Sequence, residues 1–299
     1  MRKQLCEALI NKASNTKTIF LTADLGFMAL ELLRNVMKER FINVGISEQN
    51  MISLSAGLSK ENLNVWVYSI APFIYARPFE QIRNDICFHN LPVKMIGNGG
   101  GYAYGVMGPT HHAIEDYGVL LTLPHMKVFV PAFNDDIHYV ISIMNKIKQP
   151  SYLRMGYGEE PPGYKIPKYS QWRELIKGRK TVIIAIGPIA GSYIESILKI
   201  NIQQRPSLWL VSELPIIFSK IPKKLISLLK KSAHLIVTEE HVDQGGLGMQ
   251  ILNCLTKNNI SINKYTHLYA KAHHYKKYGS QKYLRKMSDL NPETLMSKI

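Results

Sequence analysis

Short apolar runs recur along this chain at Thr18–Thr22, Asn64–Ser69, Val93–Ile96, Val128–Pro131 and Tyr152–Met155. Helical periodicity fills the gaps, at Arg2–Lys12, Ala29–Lys38, Glu48–Lys60, Phe73–Phe88 and Asp135–Ile147. A strand that is apolar on both faces must be covered on both faces, so strands alternating with helices imply βαβ units around a parallel sheet. The stretch Gly156–Lys168 breaks the rhythm with three Pro and three Gly, which continue neither a helix nor a central strand. Alternation then restarts with the strand Thr181–Ile186, the helix Ile189–Leu198 and the strands Leu208–Val211 and Leu235–Thr238. Gln250–Leu255 falls in a further helix, and Tyr269–Lys286 closes the pattern. The expected fold class is α/β, with two doubly wound domains, each a mostly parallel sheet with helices on both faces. The expected boundaries are 1–160 and 175–299, with 161–174 as a linker, and a chain of 299 residues suffices for two cores.

Composition narrows the function classes. Only Cys6, Cys87 and Cys254 are present, without CxxC spacing, which argues against a disulfide framework or zinc module and fits a reducing compartment. The segment Met1–Glu7 lacks an apolar signal core, and no window approaches 18 apolar residues, so a cytoplasmic protein without a membrane span is expected. The formal net charge of +15 falls mostly on residues 166–299, which hold 21 Lys/Arg against 8 Asp/Glu. The basic residues are dispersed over Lys220–Lys231 and Lys264–Lys286, and no aromatic-plus-basic nucleic-acid motif accompanies them. An ordinary solvated surface is expected there, with no nucleic-acid partner.

The most informative segment is Phe41-Ile-Asn-Val-Gly-Ile-Ser-Glu-Gln-Asn-Met51. It opens as a short strand, turns at Gly45, and places Ser47 as a helix N-cap with Glu48 in the first turn. Taken alone, Glu48 reads as a helix-capping carboxylate. Downstream, Ser69-Ile-Ala-Pro-Phe-Ile-Tyr-Ala-Arg-Pro-Phe carries aromatic residues from a strand end into a helix. The segment Gly99–Asp116, which includes Met107-Gly-Pro-Thr-His-His-Ala-Ile-Glu115, has five Gly in its first ten residues and forms a loop with close backbone approach.

Together these segments resemble the pyrimidine-binding domain of thiamine-diphosphate enzymes, specifically transketolases, whose N-x-G-I-x-E-Q-x-M segment matches at Asn43, Gly45, Ile46, Glu48, Gln49 and Met51. The resemblance implies that Glu48 bonds the cofactor's aminopyrimidine ring and favours the imino tautomer that takes the C2 proton. Such a group must be partly desolvated. It implies aromatic packing on that ring, with Phe73 the first candidate and Tyr75 the second; core packing is the alternative for each. Arg77 either faces the site or pairs with Glu80. His111 is implied as the histidine near cofactor and sugar hydroxyls, suited to proton transfer near neutral pH. His112 stands beside it where Gln is usual. Met107 stands where relatives carry a donor-binding Asp, and a thioether is a poor acceptor. This change points toward a deoxy, branched or nucleotide-linked sugar. Asp24 matches an A-D-L segment near the cofactor or caps a turn. Arg154 corresponds to a phosphate-binding Arg or forms an inter-domain ion pair. Thr238–Gly248 resembles a turn of the family's C-terminal domain, where no site is expected despite His241, His273 and His274.

No G-D-G segment occurs in the chain. The resemblance therefore implies a partner subunit that carries the diphosphate-binding domain and the Mg²⁺ ligands, in an α2β2 assembly acting on phosphorylated or activated sugars. The expected reaction is transfer of a two-carbon ketol unit. The alternatives are the β subunit of a 2-oxoacid dehydrogenase, which shares the two-domain plan, and a cofactor-free basic binding protein.

Overall fold

The computed structural model describes residues 1–26 and 28–299. Seven strands form the first sheet. Six come from the N-terminal half: β1 (Thr18–Thr22), β2 (Phe41–Asn43), β3 (Asn64–Ile70), β4 (Lys94–Asn98), β5 (Lys127–Phe129) and β6 (Ser151–Met155). The second half supplies β7 (Trp172–Ile176), β8 (Thr181–Ile186), β9 (Ser207–Val211), β10 (Glu213–Leu214), β11 (His234–Thr238) and β12 (Tyr265–Leu268). The sheet orders are β10-β5-β6-β4-β3-β1-β2 and β12-β11-β8-β9-β7. Every pairing is parallel except those of β10 with β5 and β7 with β9. Two mostly parallel sheets flanked by helices are therefore the observed architecture.

Alternation along β3 shows how the first sheet is covered. Val65 and Val67 pack on one face with Met51 and Ile52 of the helix Glu48–Lys60, while Trp66 and Tyr68 pack on the other with Leu5 and Leu9 of the helix Arg2–Ile10. In the second sheet β8, β9 and β11 are buried along their whole length, as helices on both faces require. No helix among the described residues is long and apolar enough to cross a membrane.

The two halves interlock. β10 leaves the second half to edge the first sheet, and the Val130 N–H donates to the Ser212 carbonyl at 2.9 Å. Arg173 forks onto Asp136, with Nη1 to Oδ1 at 2.8 Å and Nη2 to Oδ2 at 2.6 Å. Strand β7 begins at Trp172, inside the span read from sequence as linker. The single helix expected over Phe73–Phe88 is divided into Ala71–Tyr75 and Phe79–Gln81, the latter running into a wider π turn over Ile82–Cys87. Pro78 sits at the break, where it has no N–H to continue the ladder.

Candidate active site

Asn43, at the end of β2, organises the first corner of the site. Its Oδ1 accepts from the N–H groups of Asp24 (2.9 Å) and Gly45 (3.0 Å), and its Nδ2 donates to Asp24 Oδ1 at 2.8 Å. Gly45 adopts φ +75°, a left-handed conformation that turns the chain out of the strand. Ser47 occupies the N-cap position, but its hydroxyl donates back to the Val44 carbonyl at 2.8 Å rather than capping the helix by its side chain. Glu48 is only 4% exposed despite its place in the first turn. Asp24 is exposed and borders an open groove of about 580 Å³ with Thr22, Gly26, Arg34 and Phe41.

The Glu48 carboxylate points toward the end of β3 and the segment after it. Arg77 Nη1 donates to both Glu48 oxygens, at 2.9 and 3.0 Å, and Ser69 Oγ lies 3.5 Å from Oε1. The Arg77 guanidinium also stacks on Phe73, 3.7 Å from the ring centroid. Of the two positions considered for Arg77, the site-facing one is observed. Phe73 meets the His111 ring edge-on, with centroids 5.3 Å apart. Glu48, Arg77, Phe73 and His111 thus form one continuous cluster assembled from three segments.

Tyr75 takes the core-packing alternative. Two residues along a helix point to nearly opposite sides, so with Phe73 in the cluster Tyr75 turns inward. It is buried, and its hydroxyl donates to Glu115 Oε2 at 3.1 Å. Burial, followed by the charge of Glu115, pushes its ionisation well above the usual tyrosine range.

The glycine-rich loop separates its two histidines in the same way. His111 is partly exposed, bonds Thr110 Oγ1 through Nδ1 at 3.0 Å, and lies 6.1 Å from the Tyr104 ring. Burial and, after it, the charge of Arg77 hold the His111 imidazole below its ordinary ionisation range, which keeps it neutral at pH 7. His112, expected to contact substrate, is instead buried. It packs edge-to-face on Tyr102 at 5.2 Å and parallel to His273 at 6.0 Å. The chain leaves a 3₁₀ turn at His111 and becomes extended at His112, so consecutive side chains face opposite ways. Met107 is exposed on the preceding 3₁₀ turn.

Arg154, read from sequence as a phosphate-binding residue or an ion-pair partner, sits in a buried ion pair. Its Nε lies 3.1 Å from Asp116 Oδ2, and Nη2 donates to the carbonyls of Ala113 (2.9 Å) and Glu240 (2.7 Å). Both side chains of the ion pair are buried. Removing one partner from such a pair costs about 3–5 kcal/mol; the pair itself lies within the first half, and the bond to the Glu240 carbonyl ties it to the second.

Two residues not singled out from sequence stand behind the cluster. Glu115 accepts from Tyr75 and pairs with His273 of the second half; its only sequence signal is its place in the G-P-T-H-H-A-I-E run. Glu240 accepts from the Tyr102 N–H at 2.6 Å and pairs with Arg285, fixing the glycine loop against the second half.

The buried carboxylate and the adjacent aromatic face suit the ring end of thiamine diphosphate: one can bond a ring nitrogen and the other can stack. Among the described residues, no cluster of three His, Cys, Asp or Glu side chains offers a metal site.

Residues 1–159 match the family described as "Transketolase, pyrimidine binding domain". The chain is 29% identical over 270 residues to a subunit of the apulose-4-phosphate transketolase of Phocaeicola vulgatus, covering 87% of this chain and 85% of that protein. It is 28% identical over 259 residues to 1-deoxy-D-xylulose-5-phosphate synthase of Clostridium perfringens, covering 84% of this chain but only 41% of the synthase. A solved structure described as "Split gene transketolase, inactive beta4 tetramer" superposes with a TM-score of 0.81 at 25% identity, over 99% of this chain and 95% of that one.

Proposed function

The chain belongs to the transketolase family, whose members depend on thiamine diphosphate, and we propose that it is the pyrimidine-side subunit of a two-chain enzyme that moves a two-carbon ketol unit between sugars. The observation that carries this reading is the Glu48 carboxylate, withdrawn from water and opening on the same cluster as Phe73 and His111. When bound, thiamine diphosphate supplies a carbon nucleophile and an electron sink. Glu48 holds and returns a proton at the pyrimidine nitrogen, and Phe73 packs on the ring. Asp24 borders the cofactor from the end of β1. Neutral His111 accepts and returns protons at donor hydroxyls.

The diphosphate and Mg²⁺ are held by a partner carrying the G-D-G segment, in an α2β2 arrangement. The helix Glu31–Met37 supports a docking face: Leu33 and Met37 are buried, while Leu32 (68% exposed) and Val36, one turn apart, face outward. Ile46, at the turn before the Glu48 helix, is 77% exposed as well. Monomer surfaces seldom keep such patches without a partner.

Met107 stands where an acceptor for a donor hydroxyl is usual, which favours a donor other than the common ketose phosphates. The relative named for apulose 4-phosphate makes that sugar phosphate the first donor to try. The test is an assay of the assembled two-chain complex with ketose phosphates, apulose 4-phosphate and 2-oxoacids as donors. Ketol transfer from a sugar phosphate is expected. Turnover of pyruvate with no use of any ketose would overturn the proposal in favour of 2-oxoacid chemistry.

A further inference from the structure

Arg77 makes the two contacts that the functional reading assigns to the cofactor's ring. Its planar guanidinium bonds both oxygens of Glu48 at 2.9 and 3.0 Å and lies 3.7 Å over Phe73. A planar group with N–H donors that stacks on an aromatic face and bonds a carboxylate matches an aminopyrimidine in shape and in hydrogen bonding. Two such planar groups cannot lie on the same face of the Phe73 ring at once.

The surroundings allow exchange. Arg77 follows the helix Ala71–Tyr75, precedes Pro78, and has a side chain that is 44% exposed. Its backbone carbonyl is held by Gln49 Nε2 at 3.4 Å, so the side chain can swing while the main chain stays tethered. The Arg77 end of the pair is open to water, so a guanidinium that leaves Glu48 is hydrated at once. Glu48, by contrast, is buried, and among the described residues Ser69 at 3.5 Å is its one further side-chain partner. Arg77 keeps that carboxylate partnered until another group arrives.

We propose that Arg77 is a further residue of the cofactor site, a placeholder whose guanidinium occupies the seat of the pyrimidine ring and must swing toward solvent for thiamine diphosphate to bind. The proposal rests on the functional reading above. It makes Arg77 a competitor for the seat, so the apparent affinity for the cofactor is reduced by the fraction of molecules in which the guanidinium is in place.

The experiment is calorimetric titration of the two-chain complex with thiamine diphosphate in excess Mg²⁺, for the wild type, Arg77→Met and Arg77→Lys. Methionine keeps the length of the side chain without its fork; lysine keeps the charge without the planar stack. The expected result is tighter binding by about tenfold for Arg77→Met, with Arg77→Lys in between. Binding by Arg77→Met alone would support the proposal in its strongest form. Wild-type binding that Arg77→Met leaves equal or weaker overturns the placeholder while leaving the functional reading intact. If Arg77→Met does not fold, Arg77→Lys decides by the same criterion. Absence of binding in every protein removes the functional reading, and the placeholder with it.

Discussion

His273 Nε2 lies 2.5 Å from Glu115 Oε1, joining the second half of the chain to the residue that also receives the Tyr75 hydroxyl. Glu115 is four residues beyond His111, and Tyr75 is two residues beyond Phe73. One carboxylate therefore braces both the histidine loop and the aromatic helix, and a side chain from the second half holds that carboxylate. His273→Ala is expected to lower kcat of the assembled enzyme roughly tenfold, as small misplacements of reacting groups do, while the donor KM stays within about twofold if the interaction acts only on the transition state. His273→Gln should recover part of the loss. Steady-state kinetics on the two variants checks this, and a pure KM effect would contradict it.

Acid should weaken the fold through two carboxylates. Burial works to raise the ionisation of Glu115 and Glu239, but each ends below the ordinary value of 4.5. For Glu115 the hydrogen bond and charge of His273, then the Tyr75 hydroxyl, outweigh burial. For Glu239 it is His267 first, then His241 and Tyr117. A carboxylate depressed in the folded state contributes stability that is complete above its unfolded value and is lost as pH falls through the folded one. Urea midpoints should therefore drop as pH falls below 4.5, and Glu239→Gln should flatten that part of the profile. An equally steep fall in the variant would assign the effect elsewhere.

Glu48→Ala should reduce turnover of the complex by at least about 10³-fold, toward the upper end of what a positioned proton carrier supplies. Its fold should stay intact, because the freed Arg77 is near solvent. Circular dichroism beside the activity assay separates the two, and normal turnover in this variant would refute the assignment.

Met107→Asp places a carboxylate acceptor on the exposed turn before His111. Donor preference should shift toward common ketose phosphates, read as a change of at least about tenfold in the ratio of kcat/KM values, the size a recovered charged hydrogen bond allows. An unchanged substrate profile would count against this role for the loop.

Leu32→Glu with Val36→Glu puts two charges on the outward face of the helix Glu31–Met37. The chain should fold as before, since both side chains face water, but should fail to assemble with the diphosphate-binding partner. Sedimentation of the mixed proteins shows this directly, and a complex of unchanged size would remove this helix from the interface.

Much of the architecture was legible from periodicity. Thr18–Thr22, Thr181–Ile186, Glu48–Lys60 and Ile189–Leu198 agree with the observed elements residue for residue. Each presents a clear pattern of burial to a sheet or a helix groove. What periodicity missed was set from far away. Arg154 bonds a carbonyl 86 residues along, at Glu240, and nothing near position 154 announces that partner. Which of Phe73 and Tyr75, and which of His111 and His112, turns toward Glu48 depends on the way a short turn faces the core. β10 spans only Glu213–Leu214, too short to carry alternation. The helix Lys223–Lys231, whose Leu225 and Leu229 are buried, lay in a stretch read for its charge.

The excursion of β10 bears on how the protein is made. Its pairing with β5 closes an edge of the first sheet, so that sheet is unfinished when residue 160 leaves the ribosome and stays so until residue 214 has emerged. A nascent N-terminal lobe carries an open strand edge through that interval, and open edges recruit other chains. The two lobes therefore mature as one product of synthesis, and a gene cut at the proline-rich stretch would yield a first fragment prone to self-association.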